Sequence, residues 1–538
     1  MHDAHHNVAR NATPSAARAT ARKATRGLAR STARSAALTA ALIPALALGA
    51  LAAAPAPGPS ADAAGSADSA AMARFTHQPV HWAACPDQDL AKAGLSCADI
   101  TVPLDYRHPG GRTIKVAISR LAATRPDRLG VLLHGTGGGP GGRGLNGPLL
   151  TSAAMGPALA GRFDLIGMDP RGVGRSTRIN CGLTGEWFRS AGLDRAGFDE
   201  TVAYEKQQVE RCQRKYPDLL PYFTTRNTAR DMDLIRTLLK TPKISYIGIS
   251  YGTYLGAVYT QMFPGKVDRV VLDSALDPAR TPARTFPALG AANERYLDAW
   301  ARWTAGHDAE YGLGRTGREV RATVQRIIAR AARRPLQIGR YQADEHIIPS
   351  LLAGILADDR YFAEQAGIVR ELHRAARGER FEPSELLREY LSPPDGDLDN
   401  ALSMNIAIFC GDASAPRDLG WYWRNVRRSR ATQPVYGPLA NTVFPCAFWP
   451  GKPLEAPTRV GNGHPALIVQ STGDTRTVYE GAMALHRALP ASRMVTLRNV
   501  RRHGLYGMYP NRCVTDAVNA YLATGRQPDT DVTCDREP

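Results

Sequence analysis

A chain of 538 residues, 43% of them hydrophobic, has enough apolar side chains for a sizeable core and is long for one plain domain. Its formal net charge of +17 is unevenly placed: Arg10, Arg18, Arg22, Lys23, Arg26, Arg30 and Arg34 stand against the single acid Asp3 before Ala36, so this leader carries about a third of the excess. The remaining excess is mostly scattered arginine, densest from Arg424 to Arg430. It has no interleaved aromatics and no zinc-type spacing, which argues against nucleic-acid binding.

In chain order, the basic leader runs into an Ala- and Leu-rich apolar stretch at 36–54, with small-residue sites at Ala52-Ala-Ala54 and Ala61-Asp-Ala63. This is the pattern of a signal peptide over 1–54 with an unusually long basic region. An uncleaved anchor is the alternative, but the stretch contains Pro44 and barely reaches spanning length. No cysteine lies near the cleavage region, which argues against a lipid anchor. Residues 55–73, rich in Pro, Ala, Gly, Ser and Asp, read as a linker or short propeptide. No later segment is apolar enough to span a bilayer, so the expected product is secreted and extracellular, without stable membrane association.

Six short apolar runs then read as strands: Gly130–Gly135, Phe163–Asp169, Ile244–Ser250, Val267–Asp273, Pro465–Gln470 and Arg493–Leu497. Helical periodicity separates them, notably over Asn227–Lys240 and Tyr479–Leu489. Continuous apolar strands alternating with helices predict a mostly parallel sheet covered on both faces. From about 276 to 455 the pattern becomes helical, with helices expected over Ala291–Gly306, Thr316–Arg334, Tyr361–Arg377 and Pro383–Leu391. The strand pattern resumes near Pro465. The reading is a sheet domain in two pieces, 74–275 and 456–538, with a helical cap at 276–455 inserted over its carboxyl edge.

Between the third strand and a helix opening at Thr253 lies Gly248-Ile-Ser-Tyr-Gly252. A G-x-S-x-G at such a junction is a nucleophile elbow, the signature of an α/β hydrolase, with Ser250 as nucleophile. A serine hydroxyl needs a general base, and in this fold acid and base follow the serine in that order. His503 stands just after a strand, whereas His464 precedes one and His486 falls inside a helix. Asp474, in the turn after Leu467–Gln470, is the expected acid, with Asp273 at the end of the preceding strand as runner-up. A tetrahedral oxyanion needs two backbone donors. The amide of Tyr251 is one; the other is expected from Gly138 or Gly139, in the Gly-rich stretch His134–Gly142. That stretch lacks the Lys and Ser/Thr of a phosphate-binding loop.

The eight cysteines are even in number, absent from the leader and free of any C-x-x-C spacing. Behind a signal peptide they read as four disulfides rather than a metal site. Sequential pairing closes local loops: Cys85–Cys97, Cys181–Cys212, Cys410–Cys446 and Cys513–Cys534. No cofactor and no metal are expected.

From about Trp82 to Cys534 the chain resembles the secreted tripeptidyl aminopeptidases of Streptomyces-type bacteria, α/β-hydrolase peptidases related to prolyl iminopeptidases. The segments that carry the resemblance are Thr101-Val-Pro-Leu-Asp-Tyr106, Gly138-Gly-Pro-Gly-Gly142, Phe163–Ser176, Asn227-Thr-Ala-Arg-Asp231, Ser250–Tyr259, Leu467–Ser471 and Tyr479-Glu-Gly-Ala482. The chain departs from the family's usual Asn-Pro-Gly-Gly-Pro-Gly-Gly-Ser-Gly loop, with His134-Gly-Thr-Gly137 before it and Arg143-Gly144 at its end. After Asp474 it has Thr475-Arg-Thr-Val478 where the family usually has a proline-containing turn.

The resemblance implies Ser250, Asp474 and His503 as the triad of an exopeptidase that removes tripeptides from free N-termini. It also implies an acidic residue for the substrate amine, expected at Asp412 in Phe409-Cys-Gly-Asp412; the competing reading is an ordinary acid beside a disulfide. The partners are then peptides with free N-termini, and a monomer is expected. The alternatives are an esterase or lipase with the same triad, a prolyl-specific aminopeptidase, and a binding protein on an inactive hydrolase scaffold.

Overall fold

The computed structural model describes residues 70–538 apart from Thr136, Gly138, 184–188, 393–395 and Pro538. The expected leader, most of the expected linker and Gly138 therefore lie outside the described residues. Among the described residues no helix is long and apolar enough to cross a membrane.

Among the described residues twelve strands occur in chain order: β1 (Ala83–Ala84), β2 (Ser96–Pro103), β3 (Thr113–Leu121), β4 (Gly130–Gly135), β5 (Phe163–Asp169), β6 (Ile244–Ile249), β7 (Val267–Asp273), β8 (Leu336–Ile338), β9 (Tyr341–Ala343), β10 (Leu467–Ser471), β11 (Arg493–Leu497) and β12 (Val532–Cys534). Ten form one sheet in the order β1-β2-β3-β5-β4-β6-β7-β10-β11-β12. From β5 to β12 every neighbouring pair is parallel, while β1, β2 and β3 add an antiparallel flank. Parallel strands are covered on both faces, which is why β5 and β10 are buried at every position. The flank alternates instead: in β3 Thr113 and Lys115 are exposed while Ile114 and Val116 are buried.

The sheet separates two apolar layers. One packs Ile100, Val116, Met168, Leu255, Val258 and Leu272 with their helices; the other packs Leu132, Leu165, Val271, Val469, Val495 and Val518. Between β7 and β10 the chain runs through helices and the small β8–β9 hairpin, which lies outside the main sheet. This insertion has its own core, with Trp300, Val324, Ile328, Leu352, Val369, Leu372 and Tyr436. One stretch of it does not belong to that core. The helix Gly396–Asp412 sends Leu402, Met404, Ile406 and Ile408 into the layer against the sheet. The insertion is therefore two packings, one that stands by itself and one fused to the sheet domain.

All four disulfides join the expected partners: Cys85–Cys97, Cys181–Cys212, Cys410–Cys446 and Cys513–Cys534.

Several sequence segments meet in one buried charge network. Arg171, fully buried, gives two hydrogen bonds to Asp231 at 2.7 Å each and others to the carbonyls of Leu104 and Tyr222. The Tyr106 hydroxyl donates to Asp231 at 2.7 Å. One ion pair thus joins the end of β2, the turn after β5 and the helix Thr225–Leu238. The Thr224 hydroxyl caps that helix by accepting from the Asn227 amide.

Candidate active site

The turn after β6 holds Ser250 at φ 58°, ψ −122°, directly before the helix Tyr251–Met262. A non-glycine residue at positive φ costs on the order of 1–3 kcal/mol and persists only where its surroundings over-determine it. Here they do. The Ser250 amide donates to the Asp273 carbonyl at 2.9 Å, and the Thr253 amide and hydroxyl donate back to the Ser250 carbonyl. A Cβ at Gly248 would overlap the Gly252 carbonyl oxygen, so the tight crossing demands glycine there. Beneath it, the buried Tyr246 hydroxyl donates to that same carbonyl at 2.7 Å. Tyr246 reads in sequence only as a core strand residue, and its support of the elbow has no sequence signature.

Asp474 and His503 meet across 29 positions of chain, with His503 Nδ1 2.9 Å from Asp474 Oδ2. A carboxylate only accepts, so Nδ1 carries the proton and Nε2 is the basic nitrogen. The carboxylate is saturated with donors. Oδ1 accepts from the amides of Arg476 at 2.7 Å and Thr477 at 2.9 Å, and Oδ2 accepts from the Thr477 hydroxyl at 2.8 Å. Burial pushes the Asp474 carboxyl up, but the imidazole and these bonds outweigh it and hold the group below the ordinary carboxylate range.

The runner-up acid does something else. Asp273 Oδ2 accepts the amides of Leu505 at 2.8 Å and Tyr506 at 2.7 Å, and Oδ1 accepts from the Ser274 hydroxyl at 3.0 Å. Ser274 Oγ accepts the Gly504 amide at 2.8 Å. The loop after His503 is thus tied to the end of β7, and the Ser250 amide is tied to the same residue's carbonyl. Burial drives the Asp273 carboxyl above its ordinary value. The other two histidines stay apart from this cluster: His464 bonds to the Asp268 carbonyl and His486 to Ser492.

Tyr251 begins the elbow helix, whose N-terminus is the favourable end for a developing negative charge. Gly139 has φ 76° and lies in a loop pinned from two sides. The Gly144 amide donates to Asp169 at 2.8 Å, and a Cβ at Gly141 would press on the Ala401 carbonyl of the Gly396–Asp412 helix. The adjoining His134 is buried against Thr151, and desolvation pushes its pKa down to about 4, which keeps it neutral and out of acid–base work.

Asp412 ends the Gly396–Asp412 helix beside the Cys410–Cys446 bridge. Both of its oxygens are engaged by Thr225: the amide donates at 2.8 Å and the hydroxyl at 2.5 Å. The Thr225 hydroxyl also meets the Tyr251 hydroxyl at 2.6 Å, so Asp412 reaches the elbow helix through a relay and has no bond to His503 or Asp474. It lines a cleft with Tyr222, Arg226, Tyr254 and Glu455, and burial pushes its carboxyl up to about 7. Among the described residues no group of acids, histidines or cysteines is arranged to hold a metal ion.

A family model described as TAP-like protein matches residues 433–534. The chain is 34% identical over 485 residues to a tripeptidyl aminopeptidase of Streptomyces lividans, covering 86% of this chain and 88% of that protein. It is 29% identical over 489 residues to the serine protease Hip1 of Mycobacterium tuberculosis, covering 85% and 91%. It is also 29% identical over 470 residues to carboxylesterase B of the same species, covering 81% and 86%. A largely parallel sheet with a strand–serine–helix elbow, and identity sustained across most of both chains, lead to one assignment: this chain belongs to the tripeptidyl aminopeptidase family of α/β-hydrolase serine peptidases.

Proposed function

We propose that the protein is a secreted serine exopeptidase that releases tripeptides from free N-termini through an acyl-enzyme on Ser250. The observation that carries this reading is the Asp474–His503 pair, on a loop tied to the same β7 end that holds the Ser250 amide. Ser250 Oγ attacks the scissile carbonyl carbon and His503 Nε2 takes its proton. The amides of Tyr251 and of Gly138 or Gly139 receive the oxyanion. His503 then protonates the leaving amine, and water, activated by the same imidazole, releases the tripeptide. Asp474 holds the imidazole in the required tautomer and stabilises its charged form.

Asp412 is the proposed anchor for the substrate ammonium. Its raised pKa reflects desolvation that the Thr225 bonds and Arg226 only partly offset, and a cationic amine would add further opposing charge. Four disulfides support passage through an oxidising compartment.

The test compares a tripeptide anilide with its N-acetylated form. Acetylation removes the charge that Asp412 would pair, and at about pH 8, where that carboxyl is ionised, kcat/KM should fall by at least about thirtyfold, the lower end of the 2–5 kcal/mol for an unpaired buried charge. Equal cleavage of both would replace this reading with an esterase or endopeptidase, for which the similarity to a carboxylesterase gives independent ground.

A further inference from the structure

The loops carrying Asp474 and His503 have anchors on the sheet side, such as the Ser471 hydroxyl donating to the Arg502 carbonyl at 2.7 Å. They also have a second set of anchors, and these come from the helical insertion. Asp358 forms an isolated antiparallel bridge with Arg502, the residue before His503. Asp359 Oδ2 accepts from the Arg501 amide at 3.2 Å and from Arg536 Nη1 at 3.1 Å, with Arg501 Nη1 at 3.7 Å. Asp358 Oδ2 lies 3.5 Å from Arg502 Nη1. The two carboxylates are only 6% and 2% exposed. A few residues earlier in the same segment, the Ala353 carbonyl accepts from Arg476, two positions after Asp474. Asn293, from the long helix Pro282–Ala305, donates to the Thr475 carbonyl at 3.1 Å.

We propose that the 353–360 segment of the insertion is a clamp that sets the distance between Asp474 and His503, with Asp359 as its principal positioning residue. The inference rests on the acid and base roles assigned above. It gives the insertion a part in catalysis distinct from covering the cleft. Its contacts fall on Arg501 and Arg502, the two residues before His503, and on Arg476, two positions after Asp474, so a shift of the segment changes the hydrogen bond between them. Misplacement of about 1 Å in a reacting pair can cost on the order of 100-fold in rate. Asp359 is suited to the task because it is buried among arginines from two different elements, the His503 loop and the C-terminal tail. Its loss frees all of those donors at once.

The experiment uses the full mature enzyme and two readouts: kcat and KM on a free-amine tripeptide anilide, and the rate of labelling by a fluorophosphonate. Asp359→Ala should lower kcat and the labelling rate together by about tenfold or more, with KM within twofold. Asp359→Asn keeps one acceptor for the Arg501 amide. It should recover part of the loss, and it carries the comparison if the alanine variant does not fold. Ile327→Ala, in the insertion's own core, should lower Tm without lowering kcat well below that Tm. Wild-type kcat in both Asp359 variants, or an equal kcat loss in Ile327→Ala, overturns the clamp. A wild-type enzyme that cleaves the anilide but resists the fluorophosphonate overturns the acid and base assignment, and the clamp with it.

Discussion

Asp273 accepts from the backbone amide of Tyr506 at 2.7 Å across 233 positions of sequence, and this bond ties the chain just after His503 to the end of β7. It separates the two aspartates by role: Asp474 faces the imidazole, and Asp273 faces the backbone that follows it. Asp474→Ala should therefore reduce kcat on the order of 10⁴-fold, the typical cost for the acid of such a triad. Asp273→Ala should reduce it far less, roughly 10–100-fold, while removing acceptors whose loss leaves buried amides unpaired at about 1–3 kcal/mol. Parallel kcat and urea-denaturation measurements on both variants check the division. A larger kcat loss for Asp273→Ala than for Asp474→Ala would reverse it.

Ser250→Ala should abolish turnover, with a loss on the order of 10⁶ in kcat. Its stability should stay near that of the wild type, because none of the bonds holding the elbow uses the Ser250 hydroxyl: they run to its amide and its carbonyl. Residual activity of a tenth of wild type in a sample free of contaminating hydrolase would remove Ser250 from the mechanism.

The Arg171–Asp231 pair is a structural element of the family-like segments rather than part of the chemistry. Breaking a fully buried pair leaves an uncompensated charge and costs about 3–5 kcal/mol. Asp231→Ala should lower Tm sharply and reduce the yield of folded protein, whereas Arg424→Ala, at the exposed partner of Asp418, should change stability by less than about 1 kcal/mol. Thermal melts of the two variants side by side decide it.

Asp412 and Asp474 contribute to the pH dependence of stability with opposite signs. The Asp412 carboxyl is pushed up to about 7 in the folded chain, so between its ordinary value and 7 the folded state binds the extra proton. Stability from this group therefore falls as pH rises through that window. Asp474 is held below its ordinary value, so its contribution is present above the unfolded pKa and is lost as pH falls through the folded one. Asp412→Asn should flatten the decline between pH 5 and 7.5 in denaturant titrations. An unchanged slope would show that the Asp412 carboxyl is ionised throughout that range.

Much of the fold is a local property and is legible in the chain. The strands β4, β5, β7 and β11 have the bounds that their apolar runs predict, because a strand buried on both faces must be continuously apolar. The same rule passes over β2 and β3, whose antiparallel flank alternates buried and exposed residues and does not end in glycine or aspartate. The helices Ile347–Ile355, Gly396–Asp412 and Leu419–Arg430 are not read from sequence either. Gly396–Asp412 is buried on most of its surface, which erases the amphipathic period that marks a helix at a surface. The elbow is legible because its constraint is steric and confined to five residues. The cysteine pairs are the sequential ones, with separations of 12, 31, 36 and 21 residues, but eight cysteines allow many pairings and the sequence alone does not select among them.

What the sequence by itself determined is thus the set of local constraints: which runs must be buried, where the chain must turn tightly, and which side chains stand at strand ends. Only the tertiary structure decided which carboxylate meets His503 and where the oxygens of Asp412 are directed. It alone joined Asp358 to Arg502, and it alone divided the insertion between its own core and the layer against the sheet. The physical reason is range. A burial pattern repeats every two to four residues, whereas these partners lie from 29 to 187 positions apart and are brought together only when the sheet and helices pack.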